Sequence, residues 1–324
     1  MEKFDAIVIG SGAGGLSTAL CLARSGQKVL VLEQHYVPGG WCHTFTLNGQ
    51  RFSPGVHYIG LLDEGQSTND LYKGLGIAND LTFFRMNKSG YDHCIIGNQK
   101  FDIPAGINNF QNKLIEAFPK EEKNIKEYLS LIQKVNYELQ LMPKLKGLWQ
   151  KITVPFRTKH FGKFALFSLK RVIGWHIKDP MLQAILNAQC GDHGLPPSQA
   201  CFPVHCSVMN HYFDGGFYPM GGGSSIVKAM TSKIKSYGGE IRVSQKVAKI
   251  IVENNQAKGV VLATGGTILA NTIVSNADPS ITYLKLIGKE NISKKLEKKL
   301  SKTKYSVTSI IMFLTLEVDV TKYG

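Results

Sequence analysis

Short unbroken apolar runs alternate along this chain with stretches in which apolar residues recur at helical spacing. Phe4–Asp5–Ala6–Ile7–Val8–Ile9 and Lys28–Val29–Leu30–Val31–Leu32 are too short for helices and end at glycine or acid, so both are predicted as buried strands. Leu16 to Ser25 between them has a helical pattern. Residues from about 85 to 105 alternate short strands and turns, stopped by Ile103–Pro104–Ala105–Gly106. Asn108 to Met142 has helical periodicity punctuated by Pro119, and Pro196–Pro197–Ser198 is predicted to start a helix. Gly221–Gly222–Gly223–Ser224 precedes an apolar helix, Ile226 to Ile234, followed by strands at Glu240 to Val243 and Val247 to Val252. Gly259 to Thr264 and Thr267 to Ala270 flank Gly265–Gly266, a two-residue hairpin signal. Ser309 to Leu314 is predicted as a final strand. Strands alternating with helices indicate an α/β fold.

Between the first strand and helix lies Gly10-x-Gly12-x-x-Gly15, completed by Ser11, Ala13 and Gly14. Gly10 permits the tight turn, Gly12 lets a pyrophosphate approach the backbone, and Gly15 lets helix and strand pack closely. The helix N-terminus then offers free N–H groups to the anion. Glu33 closes the second strand eighteen residues after Gly15, followed by Gln34. Its carboxylate can accept a hydrogen bond from a ribose hydroxyl and disfavours a 2′-phosphate. Strand, helix, strand and acid in register give the motif the context it needs, so a dinucleotide is expected here. No second motif of this kind occurs, so a separate nicotinamide domain is not expected.

Gly39–Gly40–Trp41–Cys42–His43 follows the acidic strand end, and two adjacent glycines let the chain pass close to a flat cofactor. With the first unit and Phe52-x-x-Gly55-x-His57, it resembles the amine oxidase and phytoene desaturase superfamily of flavoproteins. Trp41–Cys42–His43 and Gly55–Val56–His57–Tyr58–Ile59–Gly60 are similar to its retinol saturase and carotenoid isomerase branch, as are stretches at 117–122, 191–198, 210–212, 217–223 and 273–279.

The resemblance implies FAD as cofactor, held by Gly10, Ser11, Gly12, Ala13, Gly14, Gly15, Glu33, Gln34, Gly39 and Gly40, with Val247 against the adenine. It implies a three-layer Rossmann-like FAD-binding domain of the glutathione reductase and amine oxidase type over 1–85 and 216–280. A mixed-sheet and helical substrate domain would occupy 86–215 and 281–324. The implied substrate is a hydrophobic polyene, retinoid or carotenoid-like, whose carbon–carbon double bond is saturated, formed or isomerised; the electron partner is not implied. His43, His57, Tyr58 and His211 are the candidate proton donors, because histidine titrates near neutrality; each could equally be a hydrogen-bonded structural residue. Two departures stand out. Ser53 replaces an acid common in the family, and Met220 stands where some relatives carry a charge. The family normally continues beyond the point where this sequence stops, so the chain resembles the N-terminal portion of a longer enzyme and is expected to hold flavin weakly or not at all by itself. Alternatives on the same scaffold are an amine oxidase-type flavoenzyme and a non-catalytic prenyl-lipid escort protein.

Length and charge add two constraints. The 324 residues can bury a large core, and the net charge is +14. Leu139 to Lys178 contains nine Lys or Arg and no acid, interleaved with Trp149, Phe156, Phe161, Phe164, Phe167 and Trp175. That composition suits an anionic membrane surface, nucleic acid, or a solvated basic face whose aromatics are core. The resemblance favours a peripheral membrane contact through 139–178 and no nucleic acid, because the family's substrates live in membranes. No secretory signal or membrane-spanning run is visible, and the six cysteines form no CxxC pair, so a cytoplasmic protein with reduced thiols is expected. The spacing of Cys190, Cys201 and Cys206 fits no common zinc pattern, so no metal is expected.

Overall fold

The structure, a computed structural model, describes residues 2–145, 147 and 153–319. Trp149, one of the six aromatics of the basic segment, lies outside the described residues. A six-stranded sheet organises the nucleotide-binding region. Strands β1 (Lys3–Ile9) and β2 (Val29–Leu32) flank helix α1 (Ala13–Arg24) in sequence. Strand β3 (Phe45–Leu47) and strand β4 (Gln50–Phe52) form a small ribbon. Helix α2 (Ser67–Leu75) and strand β5 (Phe83–Arg85) follow. The second region begins with the ribbon of β6 (Asp92–Ile96) and β7 (Gln99–Ile103). Its helices are α3 (Ile107–Ala117), α4 (Glu122–Leu141), α5 (Val154–Arg157), α6 (Lys159–Phe164), α7 (Leu169–His176), α8 (Pro180–Leu186) and α9 (Phe202–Tyr212). The chain returns through β8 (Phe217–Pro219), α10 (Gly223–Ser236), β9 (Glu240–Arg242), β10 (Val247–Glu253), β11 (Gln256–Leu262) and β12 (Thr267–Ser275). A π-helical stretch, Ile281–Gly288, and α11 (Lys294–Leu300) complete the regular structure.

The sheet order is β10-β11-β12-β1-β2-β9. β12, β1, β2 and β9 run parallel, whereas β10 and β11 are antiparallel. α1 buries Leu16, Ala19, Leu20 and Ala23, an i, i+3, i+4, i+7 stripe, against one sheet face together with Ile226 and Met230 of α10. The other face gathers Phe4, Ile7, Ile9, Leu30 and Leu32 with Val247, Ile250 and Val260. Leu286 joins this second core, so 281–288 packs on the nucleotide-binding sheet rather than with the substrate region to which the sequence assigned it. A separate core holds the second region, where α4 contributes Ile125, Leu129, Ile132 and Val135 at helical spacing. A side chain of this size contributes about 1.5–3 kcal/mol when fully buried.

Three expectations are corrected. The Pro196–Pro197–Ser198 segment is a turn, and the next helix begins at Phe202 with Pro203 in its first turn. The physical rule holds, but a different proline satisfies it. Ser309 to Leu314 forms no strand: Ile310, Met312 and Leu314 are exposed and only Phe313 packs, against Phe45 and Phe52. An extended apolar segment becomes a strand only where a neighbour takes its N–H and C=O groups, and none does so among the described residues. For the same reason the second region shows no mixed sheet among the described residues, only the two-stranded pairing β6–β7, with the β5–β8 pair at its border.

Candidate functional site

The glycine loop sits where β1 hands over to α1. Gly10 has φ +91°, a left-handed conformation, and its N–H donates to the Leu32 carbonyl at 2.8 Å. A Cβ on Gly15 would overlap the Gly10 carbonyl oxygen, and one on Gly40 would lie 3.0 Å from Gly12 Cα. Gly12 caps α1 without any side-chain hydrogen bond, and no acid occupies the first turn. The N–H groups that begin α1 are therefore available to an anion, and the backbones around them can be approached closely. This arrangement fits the pyrophosphate of a dinucleotide.

Glu33 is buried at the end of β2. Its carboxylate accepts from Ser11 Oγ at 2.6 Å, Ser11 N at 2.8 Å and His35 N at 2.9 Å. Burial pushes its pKa up, but those three hydrogen bonds outweigh burial and hold it below the usual carboxylate range. Ser11 Oγ in turn accepts from Gly39 N at 3.0 Å, so one carboxylate fixes the glycine loop and the start of the glycine pair together. Gln34 beside it is exposed. Gln245 N donates to the Glu33 carbonyl and Ser244 N to the His35 carbonyl, which seats buried Val247 next to the same strand end.

A cavity of about 290 Å³ opens beside the start of α1, lined by Ala13 and Ser17 on one side and His57, Tyr58, His211 and Tyr212 on the other. Cys42 also faces it; burial pushes that thiol's pKa up, so the group is a thiol at neutral pH. Three of the four candidate proton donors thus meet in one place. Tyr58 donates to Asp92 Oδ2 at 2.6 Å. His57 Nε2 lies 3.8 Å from Asp192 Oδ1. Burial, with the neighbouring carboxylates, pushes the Tyr58 and Tyr212 hydroxyls well above the usual phenol range, so both stay protonated. Burial also raises Asp192, partly countered by His57, while Asp92 adds to the rise.

His211 has a different environment. Its Nε2 accepts the Gly60 N–H at 2.8 Å, so that nitrogen carries no proton. Burial, then the charge of His57, lowers its pKa. Gly60 is required there, because a Cβ would overlap the His211 carbonyl oxygen. His43 stands apart from this cavity lining: its Nδ1 meets the Gly40 carbonyl at 2.6 Å, and its ring packs toward His35 and Phe45. Ser53 Oγ accepts from Gly223 N at 3.3 Å, a neutral tie at the position where an acid was noted as usual, and Met220 is exposed.

Asp92, Asp192 and Asn276 were not singled out from sequence. Asn276 packs against the glycine loop, its amide reaching the space that a Cβ on Gly12 or Gly14 would enter, while its backbone N donates to Ile9 O. Asp192 and Asn276 fall inside stretches that resemble the family, which marks the segments but not the residues. Asp92 carries no local signal, since only the fold brings it to Tyr58, 34 positions away.

Comparison with known proteins agrees with this geometry. The family model described as flavin containing amine oxidoreductase matches residues 13–317. The chain is 32% identical over 332 residues to all-trans-retinol 13,14-reductase of Danio rerio, covering 98% of this chain and 54% of that protein. It is 29% identical to the chloroplastic prolycopene isomerase of Daucus carota, covering 91% of this chain and 49% of that protein. It therefore spans about half the length of the relatives it matches. Among solved structures, an oxidoreductase from Methanosarcina mazei superposes with a TM-score of 0.66 at 20% identity, covering 93% of this chain and 64% of that one, a likeness of fold. With a family match over nearly its whole length and the glycine cradle that a dinucleotide needs, the chain belongs to the flavin containing amine oxidoreductase family.

Proposed function

We propose that this chain takes part in FAD-dependent oxidoreduction at a carbon–carbon double bond of a retinoid or carotenoid-like polyene. The observation that carries the reading is the shared cavity: the start of α1 lines the same space as Tyr58, which donates to Asp92, and His57, which lies beside Asp192. The similarity to a retinol reductase and a prolycopene isomerase supports the choice of substrate class. Bound FAD would supply hydride or single-electron exchange at its flavin ring.

The residues of this chain bind, orient and supply protons. The glycine loop receives the pyrophosphate, and Glu33 both fixes that loop and faces the ribose. Apolar Val56, Ile59, Ile226 and Met230 keep the cavity suited to a hydrocarbon chain. Tyr58 and His57 are the groups placed to deliver a proton to one carbon of the double bond, each backed by a carboxylate that restores the proton and fixes the ring. His211 holds the wall through Gly60 rather than acting as the donor. Through exposed Phe156, Leu166 and Trp175 beside Arg157, Lys163 and Arg171, the segment 139–178 would rest on a membrane surface where such a polyene resides.

The test is anaerobic incubation of FAD-loaded protein with retinol and lycopene-type substrates, followed by product mass. Saturation adds two hydrogens, desaturation removes two, and isomerisation changes the spectrum at constant mass. No product of any of the three kinds from a protein that has taken up FAD overturns the reading.

A further inference from the structure

Next to Asp192 in sequence, folding assembles a second group of side chains that the chemistry above does not use. Cys190 and His193 belong to the 3₁₀ turn Ala188–His193, and His205 lies in α9. In a 3₁₀ turn, side chains three apart stand over one another, so Cys190 and His193 share one side of it. The Cys190 sulfur and one ring nitrogen from each histidine all lie within 4.8 Å of one another. We infer that Cys190, His193 and His205 form a binding site for a zinc-class divalent cation.

Geometry carries this assignment. Zinc with tetrahedral ligands, at about 2.0 Å to nitrogen and about 2.3 Å to sulfur, separates its donor atoms by about 3.3–3.6 Å. His193 Nε2 and His205 Nδ1 are already 3.3 Å apart. To reach thiolate–zinc distance the thiol must move inward by about 1 Å and give up its 3.7 Å contact with Asn187 Oδ1. His205 donates its other ring N–H to the Leu186 carbonyl at 3.1 Å, which fixes the ring and turns its Nδ1 lone pair toward His193. A backbone carbonyl behind a histidine is the usual support of a metal ligand. His193 presents its Nε2 to the same point, while its Nδ1 on the other side of the ring is buried without a hydrogen-bond partner, so only His205 has such a support. Two imidazoles and one sulfur suit a borderline-soft ion and not calcium or magnesium, which prefer oxygen. Binding displaces the Cys190 proton to solvent, forms one sulfur–metal and two nitrogen–metal bonds, and leaves the fourth position to water. No redox step is involved.

The sequence spacing did not reveal the site, because the cysteines that look like partners are not the ligands. Cys201 faces the Ala165 carbonyl, and neither it nor Cys206 belongs to the cluster. The ion would tie the turn that carries Asp192 to the helix that carries His211 and Tyr212, so its expected effect is to stiffen one wall of the cavity.

The test uses the full chain after chelator treatment, titrated with Zn²⁺ by calorimetry and with Co²⁺ as a spectroscopic probe. One equivalent of metal, a thiolate-to-cobalt charge-transfer band and a raised Tm are expected. Cys190→Ser should abolish the band and weaken zinc binding at least about tenfold, His193→Ala should weaken it similarly, and Cys201→Ser should change neither. Zinc should also slow alkylation of Cys190 in the unmodified protein, read by peptide mass, a measurement independent of whether a variant folds. Absence of stoichiometric binding, or binding and thiol protection that ignore Cys190 and His193, overturns the site.

Discussion

The Glu33 carboxylate receives both the hydroxyl and the backbone N–H of Ser11, at 2.6 and 2.8 Å, across a sequence separation of 22 residues. The acid that closes β2 therefore shapes the glycine loop. Replacing it by glutamine keeps the size but weakens charge-assisted bonds that contribute about 1.5–3 kcal/mol each way they are measured. Glu33→Gln is expected to destabilise the fold by about 2 kcal/mol at pH 7, read by urea unfolding. The pH dependence has a definite sign. The folded pKa lies below the 4.5 of a free glutamate side chain, so this contribution is complete above that value and is lost as pH falls through the folded pKa. The difference between wild type and variant should stay constant from pH 6 to pH 8 and shrink in acid. A variant as stable as wild type at pH 7 would show the Ser11 contacts to be incidental.

His211 and Gly60 give a second pH signature, near neutrality. Nε2 accepts a backbone N–H, and burial lowers the folded pKa below 6.5. The folded state then binds fewer protons than the unfolded state, so the stabilisation is complete above 6.5 and is lost as pH falls toward the folded value. His211→Gln, whose amide oxygen can accept the same N–H, should show a shallower fall in unfolding free energy between pH 7.5 and pH 5. Parallel profiles for the two proteins would remove His211 as the cause. Gly60→Ala should be far worse than either, because its Cβ meets backbone that cannot move aside.

What sequence conveys here follows from the range of the forces involved. The β1–α1–β2 unit was legible because its apolar runs, glycines and acid lie within about thirty residues and each has a local reason. The hairpin at Gly265 was legible for the same cause, since φ +92° needs glycine. The parallel pairing of β12 with β1, which sets Asn276 against the glycine loop, joins residues more than 260 positions apart and leaves no periodicity behind. The Tyr58–Asp92 bond and the Cys190–His193–His205 cluster are likewise products of packing. Residue type suggested His57, Tyr58 and His211 alike, and only the fold shows their different partners: Tyr58 donates to Asp92, whereas His211 Nε2 accepts from Gly60 N.

Tyr58 offers the most direct probe of proton delivery. Its hydroxyl donates to Asp92, and burial keeps it protonated through the accessible pH range. Tyr58→Phe removes the acidic proton and leaves the ring contacts with Tyr91 and Tyr212 in place. If Tyr58 delivers the proton, turnover of FAD-loaded protein should fall by about 10²–10⁴, the usual contribution of a positioned general acid, with KM little changed. Rapid-mixing reduction or reoxidation of the cofactor separates this from a packing defect, since a defect would also disturb binding. Turnover within a few-fold of wild type would pass the role to His57.

Membrane contact through the basic segment makes a prediction in which charge and apolar surface can be told apart. Phe164 is buried and Phe167 packs against the same core, so not every aromatic of the segment is free to meet lipid. Phe156 is 82% exposed, Leu166 94% and Trp175 47%, with the Arg171 guanidinium 5.6 Å from the Trp175 ring centre. No helix among the described residues is long and apolar enough to cross a membrane. Each Lys or Arg near an anionic leaflet contributes about 1 kcal/mol, and that share is screened by salt. In vesicle flotation the chain should therefore bind anionic vesicles in preference to neutral ones and release as salt rises. Phe156→Ser with Leu166→Ser should weaken binding at every salt concentration, because burial of apolar surface is not screened. Arg171→Gln should instead flatten the salt dependence. Equal binding to neutral and anionic vesicles would eliminate the electrostatic share, and no binding to either would leave these aromatics as a solvated face.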